Sequence, residues 1–193
     1  MLELYGDLLP EIHADDNAVI AAPIDYLGVN IYRRSVIAEG TELAPLNYRR
    51  VQPDGLYSAV GYEIWPRCMY DVLRYVNDNY APKEIYISEN GVATRPETVG
   101  ADGHVWDELR AAYYVEHLEQ VAKAADEGVP VRGYFAWTLI DNFEWAYGYT
   151  TPFGITHVDY ETQQRTVKYS GKIYAAIARQ EAAAKPRSAA IGG

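Results

Sequence analysis

Glu84-Ile85-Tyr86-Ile87-Ser88-Glu89-Asn90-Gly91 reads as a short buried strand that stops on a carboxylate. Ile85 and Ile87 alternate with Tyr86 and Ser88, and then Glu89, Asn90 and Gly91 arrive together. Pro82, just before it, ends the preceding helix, because proline has no N–H to give to the helical ladder. Packing gives no reason to put an acid at the end of an apolar strand, with glycine next. A buried carboxylate is costly unless it is paired or put to chemical use. The alternative is a strand-end glutamate turned out to solvent.

Upstream, Asp25 to Tyr32 forms a continuous apolar strand through Tyr26, Leu27, Val29 and Ile31, ending on Asn30 and Tyr32. Continuous apolar strands belong to parallel sheets covered on both faces. Met1 to Pro23 is acidic and irregular, with one helical turn expected around Leu2 to Leu9. Arg33 to Ala59 is polar, punctuated by Gly40, Pro45, Pro53 and Gly55, and reads as a long functional or mobile loop. Arg67 to Tyr80 carries Met69, Val72, Leu73 and Val76 at helical spacing.

Downstream, a polar loop runs through Gly103. Asp107 then caps a helix whose stripe is Leu109, Ala112, Val115, Leu118, Val121, Ala122 and Ala125, stopped by Gly128. Val131 to Trp137 is a third strand, Gly154 to Val158 a short extension, and a last helix starts near Ser170 with Ile173, Tyr174 and Ile177 on one face. Residues 182–193 read as a frayed tail. Alternating strand and helix means parallel βα units. Three times, chemically capable residues (Asn30 with Tyr32, Glu89, Trp137) stand at a strand's C-terminal end, where β/α barrels keep their sites. Doubly wound sheets share that habit, but no Gly-rich phosphate fingerprint follows any of the strands.

Hydrophobic residues are 49% and charged residues 23% of 193, the composition of a globular domain with a real core. A net charge of -10 argues against nucleic acid and anionic membrane surfaces. No apolar run approaches the roughly 18 residues of a membrane span, and Glu3, Asp7 and Glu11 interrupt any signal-peptide layout. Cys68 is the single cysteine, so no internal disulfide forms, and a cytoplasmic protein is expected. Tyrosine is abundant, 18 residues against 3 Phe, which suits surfaces that stack on sugars and reach their hydroxyls.

Residues 138–149 put Asp141 and Glu144 among aromatics. Trp137 and Trp145 can offer flat faces to a pyranose and Glu144 can accept from two neighbouring hydroxyls; an acidic loop packed by aromatics is the competing reading. Ile-Ser-Glu-Asn-Gly at 87–91, with Trp-Thr-Leu-Ile-Asp-Asn-Phe-Glu-Trp at 137–145, resembles glycoside hydrolase family 1, the β-glucosidases. Asp-Tyr-Leu-Gly-Val-Asn-Ile-Tyr at 25–32 and Tyr-Gly-Tyr-Thr-Thr-Pro-Phe-Gly-Ile at 147–155 extend the likeness over nearly the whole chain.

The resemblance implies the C-terminal three βα units of a (β/α)8 TIM barrel: one partial catalytic domain over 1–193, with site-bearing strands at 25–32, 84–89 and 131–137. It implies Glu89 as the nucleophile and Tyr32 as its hydrogen-bonding partner, with Asn30 beside them. Glu144 and Trp145 match residues that hold the sugar's O4 and O6, Trp137 the platform under the glycone, and Phe153 a wall of the pocket. At the leaving-group side Tyr62, in Gly61-Tyr62-Glu63-Ile64-Trp65-Pro66, stands where the family often has tryptophan. A β-glucoside or small oligosaccharide is the implied ligand, with no cofactor and no metal.

The Asn-Glu-Pro segment that carries the acid/base glutamate has no counterpart in these 193 residues. Retaining hydrolysis uses two carboxyl groups about 5–5.5 Å apart. Three barrel strands also leave two open edges. A complementary N-terminal barrel fragment or a homo-oligomer is therefore expected to complete the chain.

Overall fold

The structure, a computed structural model, describes Gly6, Pro10, Glu11 and residues 13–43 and 46–184. Along the chain run α1 (Asp16–Ile20), β1 (Leu27–Asn30), β2 (Val36–Leu43), β3 (Tyr48–Val51), α2 (Arg67–Tyr80), β4 (Ile85–Asn90), α3 (Glu108–Asp126), β5 (Val131–Ala136), a 3-10 turn (Trp145–Tyr147), β6 (Thr156–Val158), β7 (Arg165–Val167) and α4 (Tyr169–Ala184). The three expected strands form one parallel sheet in the order β1-β4-β5, so the strand that bears Glu89 is the central one.

Strand alternation decides which side of this sheet is dry. Ile85 and Ile87 of β4 are fully buried against α2 and α3, in a cluster with Ile31, Cys68, Met69, Leu73, Val121, Ala124 and Val129. Met69 and Leu73 lie four apart on α2 and so share its inner face. The helix stops at Tyr80 because Ala81 turns left-handed, with φ 43°, and Pro82 follows. On the other side of the sheet Ser88, Tyr26 and Phe135 are exposed, the last two 60% and 58%. The double-sided burial implied by a continuous apolar strand over 25–32 is thus not found. β1 is shorter and alternates half-buried and exposed residues, since among the described residues only its helix side is covered.

Other expectations are corrected. The supposed loop Arg33 to Ala59 contains the antiparallel hairpin β2–β3, whose alternating, half-exposed strands carry too little apolar content to stand out. The hairpin β6–β7 likewise adds a strand beyond the expected extension. On α3 only Val121 and Leu118 of the expected apolar stripe pack into the core: Leu109, Ala112, Val115, Ala122 and Ala125 are exposed, while Arg110, Ala111, Tyr113, Tyr114, His117 and Ala124 are buried. The buried face is polar-tipped because its neighbours offer hydrogen-bond partners. Asp107 does precede α3 but makes no capping bond to it; its carboxylate faces Arg110 and Ser170 instead. Gly128, with φ 94°, closes α3 as expected. The predicted turn over Leu2 to Leu9 lies outside the described residues apart from Gly6. The tail expected from Ala182 is helical to Ala184, and its remainder lies outside the described residues. Among the described residues no helix is long and apolar enough to cross a membrane.

Candidate active site

β4 ends in a local irregularity. Its pairing with β1 shifts between Val29–Ile87 and Asn30–Glu89, and its pairing with β5 shifts between Ile87 and Asn90. Such a bulge re-aims a side chain. Here the half-buried Glu89 meets Tyr32, whose hydroxyl donates to Glu89 Oε2 at 2.7 Å. The Ile31 N–H donates to the Glu89 carbonyl at 3.0 Å, fixing the chain just before Tyr32. Burial, then the hydrogen bond to Glu89 and its charge, with a smaller push from Glu144, hold the Tyr32 phenol far above its usual range. It therefore stays protonated and remains a donor. Phe153, buried, and Tyr62 each present an edge or face to Tyr32 at a centroid distance of 6.3 Å. Asn30 sits opposite Glu89 in register and accepts from Ser88 Oγ at 2.8 Å.

Beneath Glu89 lies Asn90, which is fully buried. Its Nδ2 donates to the Ile31 carbonyl at 2.6 Å and to the Tyr113 hydroxyl at 2.7 Å, while its Oδ1 accepts from Tyr134. One side chain thus ties β1, β4, β5 and α3 together. Burial raises the phenols of Tyr113 and Tyr134, keeping both hydroxyls intact. His117 stacks on Tyr113 at 3.7 Å, and burial pushes its pKa down to about 4, so the neutral ring gives its Nδ1–H to the Tyr113 carbonyl at 2.8 Å. Gly91 is required for a steric reason: a Cβ there would overlap the Trp137 carbonyl oxygen and lie 2.9 Å from its carbon.

The Trp137–Thr138 peptide is cis. The Trp137 N–H donates to the Asn90 carbonyl at 2.8 Å, so the third strand's end is hung on the second's. Within the acidic loop the two carboxylates have different surroundings. Asp141 is buried, accepting from Lys168 Nζ at 2.8 Å and the Gly154 N–H at 2.9 Å. Lys168, also fully buried, reaches Glu97 at 2.6 Å, and Glu97 meets Arg110 at 2.9 Å. Burial opposes charge on Glu97, but Arg110 and Lys168 outweigh it and hold the carboxyl below the usual range. Asp141 is accordingly an anchor of the loop. Glu144 is half-buried and Trp145, with φ 42°, leaves its side chain in solvent, 81% exposed. Trp137 is half-buried.

The structure therefore brings Tyr32, Glu89, Asn30, Phe153 and Tyr62 together and puts the charge of Glu144 within reach of Tyr32. Trp145 makes no comparable contact. Glu63 is 7% exposed and gripped by the Arg34 fork at 2.8 and 2.9 Å, which holds its carboxyl below the usual range. Sequence reasoning passed over Asn90, Tyr113, Tyr134, Glu97, Arg110 and Lys168. The one signal for them was the unusual run of polar-tipped residues on the inner face of α3. Among the described residues no cluster of three or more His, Cys, Asp or Glu is arranged to hold a metal.

The family model for "Glycosyl hydrolase family 1" matches residues 1–183. The chain belongs to glycosyl hydrolase family 1. This family 1 chain is 42% identical over 179 residues to β-glucosidase A of Thermotoga maritima, covering 93% of itself and 40% of that protein. It is 39% identical over 183 residues to a β-glucosidase of an Agrobacterium species, covering 92% of itself and 39% of the relative. The solved family 1 β-glucosidase from Thermotoga maritima superposes with a TM-score of 0.86, covering 92% of this chain and 39% of that one. The same enzyme in complex with isofagomine lactam gives 0.85. The family 1 chain is thus an α/β chain matching part of a TIM barrel, and it spans about 40% of the length of the relatives it matches.

Proposed function

We propose that this family 1 chain is the C-terminal three βα units of a retaining β-glucosidase, and that Glu89 is its nucleophile. The observation that carries the reading is the 2.7 Å bond from Tyr32 to Glu89, made at the C-terminal end of the central strand. The substrate is a terminal, non-reducing β-D-glucosyl residue of a β-glucoside or small oligosaccharide. The Glu89 carboxylate attacks the anomeric carbon, the bond to the leaving-group oxygen breaks, and that oxygen departs with the electron pair and receives a proton. Water then cleaves the glycosyl ester, restoring Glu89. Tyr32 keeps Glu89 aimed through its 2.7 Å hydrogen bond, with Asn30 beside it. Glu144 and Trp145 hold O4 and O6, Trp137 lies under the ring, Phe153 walls the pocket, and Tyr62 stands on the leaving-group side.

The proton donor is not supplied by these 193 residues. Glu63 is committed to Arg34, and Glu144 belongs to the sugar-binding side. A complementary N-terminal barrel segment supplies it, and that segment or a second copy of the chain covers the open side of the sheet. Support comes from the exposed sheet face bearing Tyr26 and Phe135 and from the outer edges of β1 and β5, which have no strand partner among the described residues. The same open face favours the second reading, a sugar-binding half-barrel that self-associates. The compartment is the cytoplasm, in keeping with a single buried thiol, Cys68, pushed up to about 11 by burial. The test is hydrolysis of cellobiose by the chain with and without a separately expressed family 1 N-terminal segment. Turnover only in the mixture is the expected result; turnover by the chain alone would overturn the assignment of the proton donor.

A further inference from the structure

A cavity of about 340 Å³ lies between the chain that leaves β1 and the hairpin β2–β3, lined among others by Arg33, Arg34, Arg50, Tyr57 and Glu63. In a chain with a net charge of -10, a cavity lined by three arginines and one glutamate is out of keeping with the whole. Arg34 and Glu63 satisfy each other in a two-point fork, and Arg34 also lies 3.7 Å over the Trp65 ring. Glu63 is thereby neutralised within the cavity wall.

Arg33 and Arg50 are left. Among the described residues neither makes a salt bridge, and neither side chain makes a hydrogen bond. Arg33 is half-buried with its guanidinium 4.4 Å over the ring of Tyr62. Tyr62 in turn meets Tyr32, the donor to Glu89. A partly desolvated guanidinium with no anion is poised for one, because its planar fork matches a carboxylate and loses little freedom on pairing. Tyr57 adds an aromatic wall to the same cavity, and Tyr62 lies beside it under Arg33.

We propose that this cavity recognises the carboxylate of an aromatic acid, carried as the leaving group of the glucoside. Its role as a leaving-group site rests on the β-glucosidase reading; the carboxylate site itself does not. Arg33, held over the Tyr62 ring, and Arg50 clamp the anion, while Tyr57 flanks the ring of the ligand.

The test is equilibrium binding of 4-hydroxycinnamate to the 193-residue chain, compared with its methyl ester, by calorimetry and by the arginine Nε–H resonances in NMR. The acid should bind about tenfold or more tightly than the ester, the scale of one charge-assisted hydrogen bond, and its advantage should shrink in high salt. In Arg33→Gln/Arg50→Gln the two ligands should bind within about twofold of each other. Arg50 is exposed on the hairpin, so Arg50→Glu tests the same point with little risk to folding and should abolish the preference. Equal binding of acid and ester by the unmodified chain overturns the proposal, as does a preference that survives both variants. Labelling of Glu89 by a 2-fluoro glucoside separates the two readings: no labelling with the acid preference intact removes the hydrolase and leaves the site, whereas labelling without the preference removes the site alone.

Discussion

Replacing Asn90 by leucine keeps the volume of the side chain and deletes every hydrogen bond beneath Glu89. The Ile31 carbonyl and the Tyr113 and Tyr134 hydroxyls lose their partner, although Tyr113 retains a long contact to the Tyr32 carbonyl at 3.5 Å. A buried polar group left without a partner costs about 1–3 kcal/mol. Two full losses and one partial loss give about 3–5 kcal/mol, a large share of the roughly 5–15 kcal/mol that holds a domain together. Urea denaturation followed by circular dichroism reads this as a lower midpoint at an unchanged slope. The site should suffer as well, because the Asn90–Ile31 bond and the Ile31–Glu89 backbone bond together hold Tyr32 against Glu89. A change within about 1 kcal/mol would refute the reasoning, since it would mean that the phenols find other partners or that Asn90 is not buried.

Gly91→Ala should give little soluble protein, because no rotamer removes a Cβ from the Trp137 carbonyl; ordinary expression and a refolding yield would refute the close approach. Lys168→Met leaves Asp141 and Glu97 buried without their shared cation and should lower stability by about 3–5 kcal/mol, with a fall in the thermal midpoint on the order of 10 °C measured calorimetrically. Burial pushes the His117 pKa down to about 4 from its usual 6.5, so the unfolded chain takes up the proton first. Its contribution is therefore full above about pH 6.5 and is lost as the pH falls toward 4, on the order of 3 kcal/mol. His117→Phe should flatten the stability profile over that window, and an unaltered slope would contradict the buried neutral ring.

The parts legible in the sequence were those set by one local rule. Helix α2 was read to its terminal residues because Pro66 precedes it, Pro82 follows it, and Met69 and Leu73 mark its face. The three parallel strands followed from apolar runs that stop on polar residues. What was not legible depended on partners distant in sequence. The inner face of α3 was misread because Arg110, Tyr113 and His117 look like surface residues until Glu97, Asn90 and the backbone carbonyls they meet are in place. Asp141 and Glu144, three residues apart and chemically alike, diverge only because Lys168, 27 residues beyond Asp141, closes on the first and leaves the second. Glu63 was separable as a structural acid only through Arg34.

Everything proposed for the reaction turns on Glu89 as a nucleophile that Tyr32 already holds in place. Incubating the chain with a 2-fluoro glucoside that carries a good leaving group, followed by intact mass and peptide mapping, tests it most directly, because such a substrate needs little help from a proton donor. One glycosyl adduct on Glu89 is expected, absent in Glu89→Gln and slower in Tyr32→Phe. An adduct at any other carboxylate, or an adduct of equal yield in Glu89→Gln, would contradict it.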